Sequence, residues 1–193
     1  LTVNAGKIQM QSPKTHMPVD VVQNKGKQYT IIGVGNLLQR DDGVGVHAVR
    51  ALQPFFEDCS NVSCIDAGTL SYELLEWVAS SDHTIIIDAA YMRALPGTVK
   101  VFEDDEIAHQ FKHATAHSVH QITLRDTLLT SQTLYSKPTK VTLIGVEPDV
   151  IEWGTALSPK VSLALSSILE ITLARLSVDG MQAYDPMTKK EAR

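Results

Sequence analysis

Apolar residues along this chain change their period repeatedly. Tyr29 to Val34 is a short β-rich run ending in glycines, the pattern of a buried strand. Either Asp41 or Asp42 can then cap a helix that runs to about Leu52, ahead of Pro54. Val62 to Ile65 predicts a second strand, closed by Asp66-Ala67-Gly68. Leu70 to Ala79 predicts a second helix, with Leu74, Leu75 and Val78 on one face. His83 to Ala89 holds the most apolar strand, in which Ile85, Ile86 and Ile87 precede Asp88. Pro96-Gly97 predicts a turn, after which Thr98 to Phe102 alternates as an edge or antiparallel strand does. Helical spacing returns over Ser118 to Thr130, and Lys140 to Val146 predicts one more buried strand. Ser158 to Leu176 predicts a long amphipathic helix, striped by Val161, Leu165, Ile168, Leu169 and Leu176.

Strands alternate with helices, without repeats or an internal linker. The expected fold class is therefore α/β: a three-layer sandwich whose twisted, mostly parallel sheet of about five strands carries helices on both faces. Residues 28–179 form the single α/β domain on this reading. Residues 1–27, polar and without a sustained period, and residues 180–193 are expected to be flexible tails. Ligand crevices in such sheets open beyond the carboxyl ends of the strands. The residues of interest therefore run from Gly33 to Asp42, Asp66 to Thr69, Asp88 to Ala90 and Gly145 to Asp149.

Composition narrows the partners rather than the fold. Lys and Arg number 17 and Asp and Glu 22, a formal net charge of −5 over 193 residues, unsuited to tracking nucleic-acid phosphates. No apolar run approaches the ~20 residues of a bilayer span, and the polar N-terminal stretch has no apolar signal core. A cytoplasmic protein without membrane or nucleic-acid partners, and a monomer, is expected. Cys59 and Cys64 are too few for a disulfide scaffold or a four-thiolate zinc site.

Four groups of residues could carry chemistry. Gly33-Val34-Gly35-Asn36-Leu37-Leu38 has Leu38 where a dinucleotide fingerprint needs its third glycine, and no Lys-Ser or Lys-Thr pair follows. In Asp41-Asp42-Gly43-Val44-Gly45, two carboxylates open a helix whose glycines would each cost about 1 kcal/mol against Ala. That cost suggests close approach of another backbone, and if Asp41 caps, Asp42 can project into the crevice. Asp88 ends the most buried strand, where it must bond backbone N–H groups in a turn or meet a cation. Of the run His109, His113, His117 and His120, the first three would share one face of a continuous helix. Ala114-Thr115-Ala116 and Ser118 read better as a loop and helix cap, which puts His120 in the first helical turn. An imidazole and two carboxylates make an ordinary borderline-metal set. Cys59 and Cys64 read as ordinary small residues, and His47 and His83 as surface or capping residues. No Gly-x-Ser-x-Gly elbow is present to supply a serine nucleophile.

The string Gly33-Val-Gly-Asn-Leu-Leu-Gln-Arg-Asp-Asp-Gly-Val-Gly45 resembles the N-terminal signature of the hydrogenase maturation endopeptidases, which cut a C-terminal extension from the large subunit of nickel–iron hydrogenases. The likeness continues in order through Asp66-Ala-Gly-Thr69, Ile85-Ile-Ile-Asp-Ala89, Pro96-Gly-Thr98, His120-Gln121 and Leu143-Ile-Gly-Val-Glu-Pro148, covering about Tyr29 to Leu176. The resemblance implies a nickel site built from Asp42, Asp88 and a His near the start of a later helix. His120, followed by Gln121 and Leu124, fits that place best, with His117 as the alternative. The same three residues, Asp42, Asp88 and His120, would carry catalysis. The implied partner is the precursor of a nickel–iron hydrogenase large subunit, and the nickel would be supplied by that precursor, so that the enzyme reads the metal before it cuts. Asp41 could cap its helix or orient a ligand, and Asp66 to Thr69 would border the substrate groove. The sequence departs from the family in having Ala67 where a second glycine is frequent, and in its longer polar N-terminal stretch. Two other readings are a nickel-dependent chaperone that holds the precursor without cutting it, and a nucleotide-binding α/β domain using Gly33 to Leu38.

Overall fold

The computed structural model describes residues 20–21, 26–69, 73–103, 106–107, 140–178 and 183–184. Among these, one sheet holds β1 (Tyr29–Val34), β2 (Val62–Gly68), β3 (His83–Ala89), β4 (Val99–Glu103) and β5 (Lys140–Val146). The strand order is β2-β1-β3-β5-β4, parallel throughout except for β4 against β5. The helices are α1 (Val44–Leu52), α2 (Glu73–Ser80) and α3 (Pro159–Val178). Near the two ends of the chain, Asp20–Val21 and Ala183–Tyr184 form a separate two-residue antiparallel pair. Among the described residues no helix is long and apolar enough to cross a membrane.

The period of two in each strand divides the isoleucines between two cores. Ile31, Ile85, Ile87, Ile144 and Val146 pack with Val44, Val49 and Leu52 of α1 and Val161 and Ile168 of α3. On the other face Ile32, Ile86 and Leu143 pack with Leu74 and Val78 of α2 and with Ile107. This is the expected sandwich, with β1, β3 and β5 covered on both sides and therefore apolar almost without interruption.

From β1 the chain steps outward to β2, then crosses back to lay β3 on the other side of β1. The order reverses at the β1/β3 junction, the place where a parallel sheet opens a crevice at its carboxyl edge. The N-terminal turn of α1 seats over that junction without side chains between the backbones. A Cβ on Gly45 would lie 2.1 Å from the Ile87 carbonyl oxygen and 2.4 Å from that of Val34. One on Gly33 would lie 2.2 Å from the Gly45 carbonyl oxygen. Both glycines are required by this approach; for Gly45, the cost within the helical pattern suggested it.

Three expectations are corrected. Neither Asp41 nor Asp42 caps α1: the helix is preceded by a 3-10 turn, Arg40–Gly43, its N-cap is Gly43, and no side chain bonds there. The Asp41 carboxylate is drawn instead to amides far away in sequence. β2 does not stop at Ile65, because a bulge moves the register from Gly33 opposite Asp66 to Val34 opposite Gly68 and carries the ladder on. His83 is not a surface residue but is buried, its Nε2 2.8 Å from Thr142 Oγ1. That hydroxyl donates its only proton to Glu103 Oε2 at 2.8 Å, so Nε2 must be the protonated nitrogen of His83. Arg175 Nη1 of α3, 2.7 Å from Glu103 Oε1, completes a polar tie from sheet to helix. The helix expected over Ser118 to Thr130 lies outside the described residues.

Two glycine substitutions should separate steric need from backbone need. Gly45→Ala is expected to cost about 3 kcal/mol or more, because a fixed backbone carbonyl must move. Gly68→Ala, at a φ of +50° with open space around it, should cost about 1 kcal/mol from the left-handed conformation alone. Urea denaturation of both variants measures this; equal losses would mean the helix–sheet approach is not tight.

Candidate active site

Asp42 and Asp88 come together at the carboxyl edge of β1 and β3. Asp42 sits in the 3-10 turn, nearly buried, and its Oδ2 accepts the Asn36 N–H at 2.9 Å. Asp88 is the second-last residue of β3, opposite Gly145 of β5, on the face that carries Ile86 and α2. Its side chain is fully buried, and among the described residues neither carboxylate oxygen has a hydrogen-bond partner. Burial, then the charge of Asp42, push the Asp88 carboxyl well above its ordinary range, with the Ala89 amide opposing them weakly. A bare carboxylate of this kind is costly in a folded interior.

The neighbouring acid behaves in the opposite way. Asp41 is fully buried, yet Oδ2 accepts the amides of Asp149 at 3.0 Å and Val150 at 2.8 Å, and Oδ1 that of Ser158 at 2.6 Å. Burial alone would raise its carboxyl, but the amide bonds from Ser158, Val150 and Asp149 outweigh it and hold the group below its ordinary value. Asp41 thus ties the turn holding Asp42 to the segment that leads into α3. Arg40, beside it, adopts a φ of +48° and sends its guanidinium the same way, to the Ala156 carbonyl at 3.2 Å and Glu152 at 2.8 Å.

A fourth carboxylate closes the other wall. Glu147, buried just after β5, accepts the amides of Met92 at 2.7 Å and Ala94 at 3.1 Å through one oxygen. Two nearby amides can converge on one atom because Arg93 between them takes a φ of +57°, an anion-holding bend of the backbone. Tyr91 stands in this loop, its phenol pushed up by partial burial and by the charges of Asp42 and Glu147. Asp66, by contrast, turns to the surface, where Arg50 Nη2 meets it at 2.8 Å and the Gly68 amide at 3.1 Å.

Among the described residues no three His, Cys, Asp or Glu side chains are grouped to hold a metal ion. Asp42 and Asp88 make a pair, while His120 and its alternative His117, with His109 and His113, lie outside the described residues. The thiols offer no nucleophile: burial and the neighbouring Cys59 push Cys64 up to about 12, and burial with Asp58 raises Cys59. The Gly33 to Leu38 run does not lead straight into a helix N-terminus. It folds into a loop whose Gly35 would clash with the Asp42 carbonyl if it bore a side chain.

A fold of this kind serves many chemistries, and comparison with known proteins decides between them. The family model described as hydrogenase maturation protease matches residues 46–175. The chain belongs to the hydrogenase maturation protease family. It is 36% identical over 154 residues to the hydrogenase 2 maturation protease of Escherichia coli, covering 79% of this chain and 93% of that one. It is also 36% identical over 141 residues to the hydrogenase expression/formation protein HupD of Rhizobium leguminosarum, covering 72% and 69%. The structure of the hydrogenase maturating endopeptidase HybD from E. coli superposes with a TM-score of 0.73 at 34% identity, covering 83% of this chain and 99% of that one. The maturation protease HybD from Thermococcus kodakarensis superposes at 0.59 with 27% identity. The chain is accordingly a peptide-bond hydrolase of this maturation protease family, and the expected α/β fold is the fold these relatives share.

Within this maturation protease, residue-by-residue reading of the sequence singled out Asp41, Asp42 and Asp88, but not the place of Glu147 nor the amides that hold Asp41. Glu147 was visible only as part of a motif, and the partners of Asp41 lie more than 100 residues along the chain. Asp41→Asn should therefore lower stability by about 2–3 kcal/mol, since an amide cannot accept all three N–H groups. With its folded pKa below the unfolded value, near 3.8, Asp41 stabilises fully above that value and loses its contribution as pH falls through the folded one. Acid titration of denaturation midpoints should show a shallower fall below pH 3.8 for Asp41→Asn than for the native chain; parallel curves would refute this role.

Proposed function

We propose that this maturation protease removes the C-terminal extension from a nickel-loaded precursor of a nickel–iron hydrogenase large subunit, and that it reads the nickel carried by that precursor through Asp42, Asp88 and His120. The observation that carries the reading is the bare, fully buried Asp88 carboxylate with Asp42 beside it. The Asp42 charge opposes ionisation of an Asp88 that has no hydrogen-bond partner among the described residues, so a cation brought between them relieves both costs at once. Carboxylate and imidazole donors suit a borderline metal such as nickel. The family supplies the reaction, and the polarity of the crevice supplies a reason to couple it to a metal arriving with the substrate.

The residues of this chain divide the work. Asp42, held by the Asn36 amide, and Asp88, held by the β3 ladder, keep fixed positions at the crevice. When bound, nickel would fix the scissile segment and polarise its carbonyl. Asp41 and Glu147 hold the two flanking loops in place through backbone amides.

Incubating the protein with nickel-loaded and nickel-free precursor, and following the precursor by mass, tests the reading. Loss of the C-terminal peptide is expected with the loaded form alone, and cleavage of the nickel-free form would sink the metal checkpoint. Binding of the loaded precursor without cleavage would favour the chaperone reading. Asp42→Asn, Asp88→Asn and His120→Ala should each reduce cleavage at least ~100-fold, in the range of removing one catalytic group. The folded pKa of Asp88 is raised, so its burial costs stability as pH rises above 3.8. Asp88→Asn removes that cost, and should raise Tm at pH 7 by about 2–4 °C while activity is lost. A lowered Tm would show that the carboxylate is satisfied in the fold.

A further inference from the structure

The crevice is bordered by exposed apolar side chains on a support that is unusually well tied down. Trp153 is 80% exposed and Leu38 53%. They sit on two loop segments joined backbone to backbone: the Gly154 amide donates to the Leu38 carbonyl at 3.0 Å, and the Arg40 amide to the Gly154 carbonyl at 2.9 Å. Arg40 packs its side chain over Gly154, where an added Cβ would fall 2.9 Å from Cγ, and bonds Glu152 and Ala156 on either side. Asp41 then anchors the same segment at Asp149, Val150 and Ser158. A left-handed, non-glycine backbone at Arg40 is maintained to do this, a form of strain that clusters where function needs fixed geometry.

The geometry points to this pair of loops as the docking rail for the folded body of the hydrogenase large-subunit precursor, with Trp153 as the anchor that enters an apolar socket on that partner. The inference rests on the preceding reading that the substrate is this precursor. The occupant follows from continuity: Asp42 lies in the same turn as Arg40, three residues beyond Gln39, which bridges to Gly154. A protein that places its tail at Asp42 must therefore cover the rail. Charge agrees with an apolar contact. Glu152 is matched by Arg40 at 2.8 Å and Asp149 by Lys160 at 3.1 Å, so the charges around Trp153 are neutralised within the chain. A large aromatic on a backbone already held in place spares binding the cost of ordering its loop, and exposed aromatics of this kind are typical interface hot spots.

The test uses the full chain and the full nickel-loaded precursor, measuring binding by biolayer interferometry and cleavage kinetics by mass. Trp153→Ala is expected to weaken binding and raise KM at least tenfold, with kcat within twofold and Tm unchanged. Trp153→Phe should recover most of the loss, and Leu38→Ser should weaken binding several-fold. Native KM and binding in Trp153→Ala, or a fall confined to kcat, overturns the docking role. So does concentration-dependent sedimentation of the native protein that Trp153→Ala abolishes, because the anchor would then serve a second copy of this chain. If the native protein binds the precursor but does not cut it, and Trp153→Ala weakens that binding, the proteolytic reading fails and the docking rail stands.

Discussion

The approach of two backbones at Gly33 and Gly45 governs the working edge of this protein. With no side chain between them, the first turn of α1 rests on the carbonyl oxygens of Val34 and Ile87, so the helix is located by the two strands that flank the crevice. The 3-10 turn just before it is then fixed as well, and with it the position of Asp42 relative to Asp88 on β3. A side chain at either glycine would lift the turn and separate the carboxylates. Packing at this point is thus the same fact as the geometry of the site.

Asp41 and Asp42 show how environment divides identical residues. Both are buried or nearly so, adjacent, and part of one turn. Asp41 faces three convergent amides and becomes a structural tie, ionised more readily than an ordinary carboxyl. Asp42 faces Asp88, and its charge makes that neighbour hold its proton more tightly. Glu147 repeats the Asp41 solution on the opposite wall, with two amides in place of three. Carboxylates whose oxygens are filled by backbone donors hold the loops; the one whose oxygens are bare faces the crevice.

The fold was largely legible because its evidence is local. Runs such as Ile85-Ile86-Ile87 and the spacing of Val161 and Ile168 declare strand and helix without knowledge of any partner, and alternation then implies the sheet. Gly45 was also legible, as a residue too costly for a helix unless something presses on it. What could not be read was every role assigned from a distance. Asp41 looks like a cap because caps are local, whereas its amides come from residues 149–158. His83 looks exposed because it stands at the start of a strand after a polar Ser-Asp pair, yet Thr142 and Glu103, from strands assembled only in the fold, bury and satisfy it. Asp66 and Asp88 both close strands, and only the presence of Arg50 beside one, and among the described residues no hydrogen-bond partner for the other, separates a surface pair from a site.

That last contrast is the physical basis of the proposed reading. A fold that supplies amides to Asp41 and Glu147 has the means to satisfy a buried carboxylate, and the β3 end has backbone donors close by. Asp88 is nonetheless left with Asp42 as its neighbour, an arrangement that lowers stability in isolation. Such a cost is reasonable where the missing positive charge is delivered by another molecule, because binding then recovers what folding gave up. On the proposed reading, a partner that arrives without the cation would meet a buried acid disfavoured from ionising beside Asp42, and one that arrives with it would meet a prepared pair. Discrimination between loaded and unloaded partners would then need no moving part, only a deficit of charge held in place by Gly33, Gly45, Asp41 and Glu147.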